Sequence, residues 1–388
     1  MHGYGPNAAQ RGRYAIAALF FVNGFLMGSW APQIPLLLSR LAITETTVGL
    51  LILVFGVGAI LAMPWAGGLI GQFGSRRAVS WFAPAASFGL AAVALSPNVP
   101  AVAMTLFLLG AFAGAMDVAM NANAVEVEKR LGRAIMSSSH GFWSLGGFAG
   151  SAVGGPLIAM VGGDGQAIVA SFASLAVVLA AAPALVADAP HPEEVRARPR
   201  GMPRDPAIWL IGLMALFAMT PEGAVLDWSA IYLGKELGAG VEASGLAFAA
   251  FSAAMATMRF AGDAVRNRFG AVRTLRLSAL SAAAGLLLAA LAPNATLAIA
   301  AFAFAGIGMA NTVPIALSAA GNHPGLSPGA GLAVVTFAGY SGILLAPSVI
   351  GWFGERFGFA PVYGVVAAML IVVALLAGRA RAADQPAA

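Results

Sequence analysis

The 388-residue chain is 60% hydrophobic and only 10% charged, whereas soluble domains carry roughly a quarter charged residues, so a soluble globular fold is excluded. Its net charge of +5 gathers in a few short connections, which sets nucleic acid aside, and with no cysteine there is neither disulfide nor thiol chemistry. Strand-like alternation is absent, which argues against a barrel and leaves helices as the means of crossing a bilayer.

Twelve apolar stretches, each long enough to cross a hydrocarbon core of about 30 Å as a helix, are predicted at 14–38, 48–71, 78–96, 100–125, 137–161, 166–187, 206–233, 242–262, 274–292, 296–318, 328–351 and 358–378. The first follows Arg11 and Arg13, but its apolar run is too long for a signal peptide and no small-residue cleavage site follows it. It therefore reads as an uncleaved span. Asn23, Trp30 and Gln33 share one of its faces, and amides flanking an indole suit a polyhydroxylated ligand. Trp30 and Gln33 equally fit an interfacial aromatic belt.

The fourth span carries AGAMDVAMNANAVEVEKR, residues 113–130. An ionisable side chain at membrane depth costs about 2.5–3.5 kcal/mol and marks a functional site by default. Gly110, Gly114, Asp117 and Asn121 fall on one helical face, a stripe able to line a water-filled cavity. Burial disfavours the ionised form of a carboxylate, which suits proton binding and release. The fifth span opens with SSSHGFWSLGG, placing His140 and Trp143 one turn apart. His140 is either a titrating group or a hydrogen-bonded structural residue.

Residues 188–205 are polar and proline-rich and form the only long connection, a linker dividing a bundle at 1–187 from one at 206–388. The seventh span holds Glu222 directly after Pro221, which predicts a local break near midplane, and further along Asp227, which is either a membrane site or a water-exposed residue near the outer mouth. Arg259 and Asp263, four apart at the end of span eight, read as a neutralising pair with a gating or structural role. Asn311 lies in the second-half echo of span four, AGIGMANTVPIA, and Tyr340 in span eleven; both join the candidate ligand set. No metal-spaced His/Cys cluster, nucleotide-binding loop or nucleophile elbow is present, which argues against an enzyme or an ATP-driven pump.

QFGSRR at 72–77 answers RFGAVR at 268–273, an internal repeat with an offset near 196. With both termini cytoplasmic, 17 of the 21 basic residues fall on the inner side, three on the outer, and Arg259 at membrane level, as the positive-inside rule requires. The expected fold is an all-α integral membrane protein of twelve transmembrane helices in two pseudo-symmetric six-helix bundles, with a site near midplane.

Twelve spans, a central linker and Gly/Arg loops after spans two and eight resemble the major facilitator superfamily. Its loop signature is followed in GGLIGQFGSRR, with Gly71 and Gln72 at the usual aspartate and arginine positions, and in RFAGDAVRNRFG, which keeps Arg259 and Asp263. DVAMNA with HGFWSLGG is similar to the fucose:proton symporter branch. That resemblance implies Asp117 as proton carrier, Asn121 as its amide, and His140 and Trp143 at sugar-contacting positions.

The expectation is proton-coupled symport of a small polar solute such as a sugar, with Asp117, Glu222 and Asp227 as coupling acids. Efflux of amphipathic compounds by antiport, or a non-transporting receptor, are the alternatives. No cofactor and no metal are implied. The partners are a small-molecule substrate, protons and the lipid bilayer, with no nucleic acid, for a monomer in a bacterial inner membrane.

Overall fold

The computed structural model describes residues 6–131, 135–188, 205–324 and 328–384; the side chains of a few helical residues, Asp263 among them, lie outside the described set. The chain divides into two compact units, one of Met1–Ile43 with Leu50–Arg198, the other of Thr44–Gly49 with Pro199–Ala388.

The first unit contains α1 (Pro6–Trp30), α2 (Gln33–Leu41), most of α3 (Glu45–Phe73), α4 (Ser75–Ala94), α5 (Val99–Leu131) and α6 (Met136–Ala181). The expected first span is broken: α1 and α2 meet at a 40° bend after Ala31 and Pro32, where proline has no N–H to continue the ladder. α6 runs through two expected spans and turns at Gly162, whose φ of 77° is a left-handed conformation that a side chain would strain. Small residues hold α1 against α6. A Cβ at Gly24 would overlap the Trp143 carbonyl, one at Gly28 that of Gly147, one at Gly146 that of Phe21 and one at Gly150 that of Phe25. Membrane helices lack a hydrophobic drive to associate and gain instead from such close backbone approach.

The second unit contains α7 (Pro206–Lys235), α8 (Leu246–Phe269), α9 (Ala271–Ala290), α10 (Ala295–Met309), α11 (Thr312–Gly321), α12 (Pro328–Phe357) and α13 (Phe359–Leu376). The expected tenth span is also broken, between α10 and α11 at Ala310 and Asn311. The first turn of α3 belongs to this unit. Glu45 pairs with Lys235, the Thr46 amide donates to Glu355 at 3.0 Å, and the Ser348 hydroxyl donates to the Gly49 carbonyl at 3.1 Å. With α6 covering two spans, all twelve predicted spans find a helix.

The two units share their joints as well as their helix order. Positive-φ glycines pair as Gly74 with Gly270 and Gly162 with Gly358, each 196 residues apart. At the same offset Asn98 and Asn294 cap α5 and α10 through their side-chain oxygens. Asp188 accepts from the Ser75 and Arg76 amides at 2.7 and 3.3 Å, and Asp384 accepts from the Ala271 amide, so the starts of α4 and α9 are satisfied alike. The carbonyls of Ala187 and Ala383 beside the two caps are also both gripped, but from non-equivalent helices, by Arg130 of α5 and by Arg266 of α8. Gly110 packs on the Phe55 carbonyl as Gly306 packs on that of Phe251.

Candidate functional site

In the first unit the polar side chains predicted on α5 form one local station. The Asn121 amide donates to the Asp117 carboxylate at 3.2 Å and to its backbone carbonyl at 2.9 Å. Both residues are half-buried, and Asp117 has no cationic partner among the described residues. Gly110 and Gly114, placed on the same stripe by their spacing, have another task. A Cβ on either would run into α3, at Phe55 and Ala59, so they set helix packing and do not line a cavity. Asn123 is fully buried, donating to the Ser75 hydroxyl at 2.9 Å and the Val186 carbonyl at 2.8 Å; it ties α5 to the capped start of α4.

The glycine seam between α1 and α6 brings Asn23 to Trp143, whose indole N–H donates to the Asn23 oxygen at 2.8 Å. His140, one turn earlier, stands edge-to-face with Phe20 at 5.1 Å between centroids. The predicted face of α1 and α2 is split by the bend. Gln33 donates to the Gly163 carbonyl at 2.7 Å and to Gln166 at 2.5 Å, a helix-to-helix tie at the end of α2. Trp30 and Gln33 line a cavity of about 320 Å³ that Asn23 does not reach. Alternation on a helical wheel cannot anticipate this, because the break at Pro32 rotates the second segment.

In the second unit the predicted acids part company. Glu222 and Arg259 form an ion pair at 3.5 Å between α7 and α8, with side chains only 20% and 11% exposed. The partner expected for Arg259, Asp263, has its side chain outside the described residues. Asp227 is buried at 6% exposure, which removes the water-exposed alternative, and its neighbour Trp228 is fully buried and stacks on Phe359 at 5.3 Å. Asn311 sits in the α10–α11 break at 6% exposure, its side-chain nitrogen without a hydrogen-bond partner among the described residues and its oxygen against Gly262 of α8. Tyr340 is half-buried on α12. Among the described residues no group of side chains is arranged to hold a metal ion.

The model of the Major Facilitator Superfamily matches residues 16–325 and 208–388. The chain belongs to the Major Facilitator Superfamily. A Yersinia pestis protein described as an uncharacterized MFS-type transporter is 33% identical over 358 residues, covering 92% of each chain. In structure the chain resembles a D-xylose-proton symporter, with TM-score 0.74 and 13% identity over 95% of this chain and 97% of that one. It resembles the nucleoside transporter NupG similarly, with TM-score 0.74 and 12% identity over 95% of this chain and 99% of that one. At such identities the two structures establish the fold alone.

This facilitator is therefore a multi-pass integral membrane transporter of small molecules and not an enzyme. Within it the superfamily's repeated loops are built on the paired caps of Asp188 and Asp384, two carboxylates that residue-by-residue reading passed over. The signal was available, since QFGSRR and RFGAVR fix the offset and both aspartates obey it. Membership also gives the unlike acids a common setting: Asp117 sits in a span without a countercharge among the described residues, while Glu222 carries one.

Proposed function

We propose that this facilitator is a proton-coupled symporter of a small, hydroxyl-rich polar solute, a sugar or sugar-like metabolite, and that Asp117 carries the coupling proton. The observation that carries the proposal is the Asp117–Asn121 station. A carboxylate held by an amide and lacking an ion-pair partner is inexpensive to neutralise at membrane depth, since protonation removes the desolvation cost of its charge. The Glu222–Arg259 pair supports a different role, because protonating Glu222 gives up a half-buried ion pair that its ionised form makes. Glu222 then holds α7 to α8, Arg259 gates with Asp263, and Asp227 is a secondary acid.

Asn23 and Trp143 supply an amide and a ring face already held in register by their own hydrogen bond. Amides and indoles are the groups that recognise sugars, the first through hydroxyls and the second through the apolar face. Asn121 and His140 extend this set in the first unit, and Asn311 with its amide nitrogen and Tyr340 supply the second. The solutes named for the two structural neighbours, xylose and nucleosides, are of this polyhydroxylated class. Trp30 and Gln33 serve as an outer cavity wall. Residues 188–205 act as a cytoplasmic linker between 1–187 and 206–388, with both termini cytoplasmic in a bacterial inner membrane and the monomer as the working unit.

The test is reconstitution into liposomes loaded with a pH-sensitive dye, screened against sugars, cyclitols and nucleosides. Symport predicts solute-driven acidification of the lumen in wild type and none in Asp117→Asn. A solute that drives protons outward instead establishes antiport, and equal proton flux in the variant removes Asp117 from the coupling.

A further inference from the structure

We infer that a second cavity of the first unit, distinct from the transport residues, binds a phosphate group carried either by an anionic lipid or free in solution. The cavity has a volume of about 390 Å³ and is lined by Arg11 of α1, Arg76 of α4 and Arg130 of α5, with Ala180, Leu185 and Val186 forming an apolar wall. That size falls within the range of about 300–1,000 Å³ of small-molecule sites.

The three arginines differ in what they have left to offer. Arg130 pairs with Glu126 at 2.9 Å and grips the Ala187 carbonyl, so it is largely committed. Among the described residues the Arg76 guanidinium makes a single hydrogen bond, to the Pro183 carbonyl at 3.3 Å. Arg11 is exposed and has no hydrogen-bond or ion-pair partner among the described residues. The nearby carboxylates, Glu126 and Asp188, are occupied by Arg130 and by the Ser75 and Arg76 amides. Among the described residues three guanidiniums stand against two carboxylates, and the planar donors of Arg11 and Arg76 are the arrangement that phosphate oxygens match in bidentate fashion.

The repeat isolates this feature. Under the 196-residue offset the counterparts of Arg11 and Arg76 are Ala207 and Val272, although the turn glycine and the aspartate cap beside them are kept. The scaffold therefore does not require these two guanidiniums. A basic pocket between membrane helices with an apolar wall fits a phosphate head whose tails lie alongside the helices.

Full-length protein in detergent micelles is mixed with dioleoylphosphatidylglycerol or dioleoylphosphatidylcholine, and bound lipid is counted by native mass spectrometry for wild type, Arg11→Gln and Arg11→Gln/Arg76→Gln. One retained phosphatidylglycerol per protein is expected, weakened about five-fold for each arginine removed, with phosphatidylcholine unaffected. Arg11 is exposed and unpartnered, so the single variant carries the test even where the double variant fails to fold. Displacement of the lipid by millimolar inorganic pyrophosphate, or protection of wild type but not Arg11→Gln against heat by pyrophosphate alone, identifies the soluble source; lipid binding indifferent to pyrophosphate identifies the membrane source. Equal phosphatidylglycerol retention by wild type and Arg11→Gln, or binding of neither probe, overturns the inference.

Discussion

The two units of this transporter share their joints and differ in their chemistry. Caps, turn glycines and backbone seams recur 196 residues apart, from Asn98 and Asn294 to Gly110 and Gly306. The polar residues do not. Asp117 and Asn121 correspond to Val313 and Leu317, and the hydrogen-bonded Asn23 and Trp143 correspond to Met219 and Gly339. In the other direction Glu222 and Arg259 of the second unit correspond to Leu26 and Met63 of the first. A joint is set by backbone geometry, which tolerates few residue types, whereas a side chain facing a cavity answers to the ligand and diverges freely.

The sharpest break in the comparison is functional. Asp117→Asn should reduce solute-driven proton uptake in proteoliposomes to the level of protein-free vesicles, while Glu222→Gln should keep measurable uptake. If the two variants exchange behaviour, the coupling acid belongs to the second unit.

Packing comes next. Gly146→Ala forces a methyl against the Phe21 carbonyl of α1 and should cost about 3 kcal/mol, seen as a loss of monodisperse protein and a lowered Tm. At the matching position Gly342→Ala meets the Thr220 hydroxyl at 2.9 Å and the Leu216 side chain and carbonyl at 3.2 and 3.3 Å, looser approaches than the 2.0 Å at Gly146, and about 1 kcal/mol is expected. Equal melting temperatures for the two would show that the seams are not built differently.

Glu222→Gln should lower stability by about 2 kcal/mol, less than a fully buried pair because both partners keep some exposure. Glu222→Leu with Arg259→Met installs the residues of the first unit and should recover most of that loss, since both members of the ion pair are removed together. A double variant less stable than either single one would show that the ion pair itself stabilises the unit. The smallest effect belongs to Trp143→Phe, which deletes one hydrogen bond to Asn23 worth about 1 kcal/mol. A rise in KM with kcat retained is expected, and an unchanged KM would place the pair outside the ligand's path.

Much of this molecule is legible residue by residue. The apolar lengths, the charge asymmetry and the loop repeat determine the class, the number of spans and the duplication, because membrane insertion is governed by local composition. The acids at membrane depth stand out for the same reason. Partnership is what only the tertiary structure decided. Glu222 of α7 pairs with Arg259 of α8, 37 positions away, and Gln33 turns from the face of Asn23 to tie α2 to Gly163 and Gln166. Gly110 and Gly114 look like a cavity lining on one helix and prove to be the bed of another. Spacing along a helix fixes which side chains share a face, but the neighbour that face meets depends on bends such as that at Pro32 and on backbone approaches made across the fold.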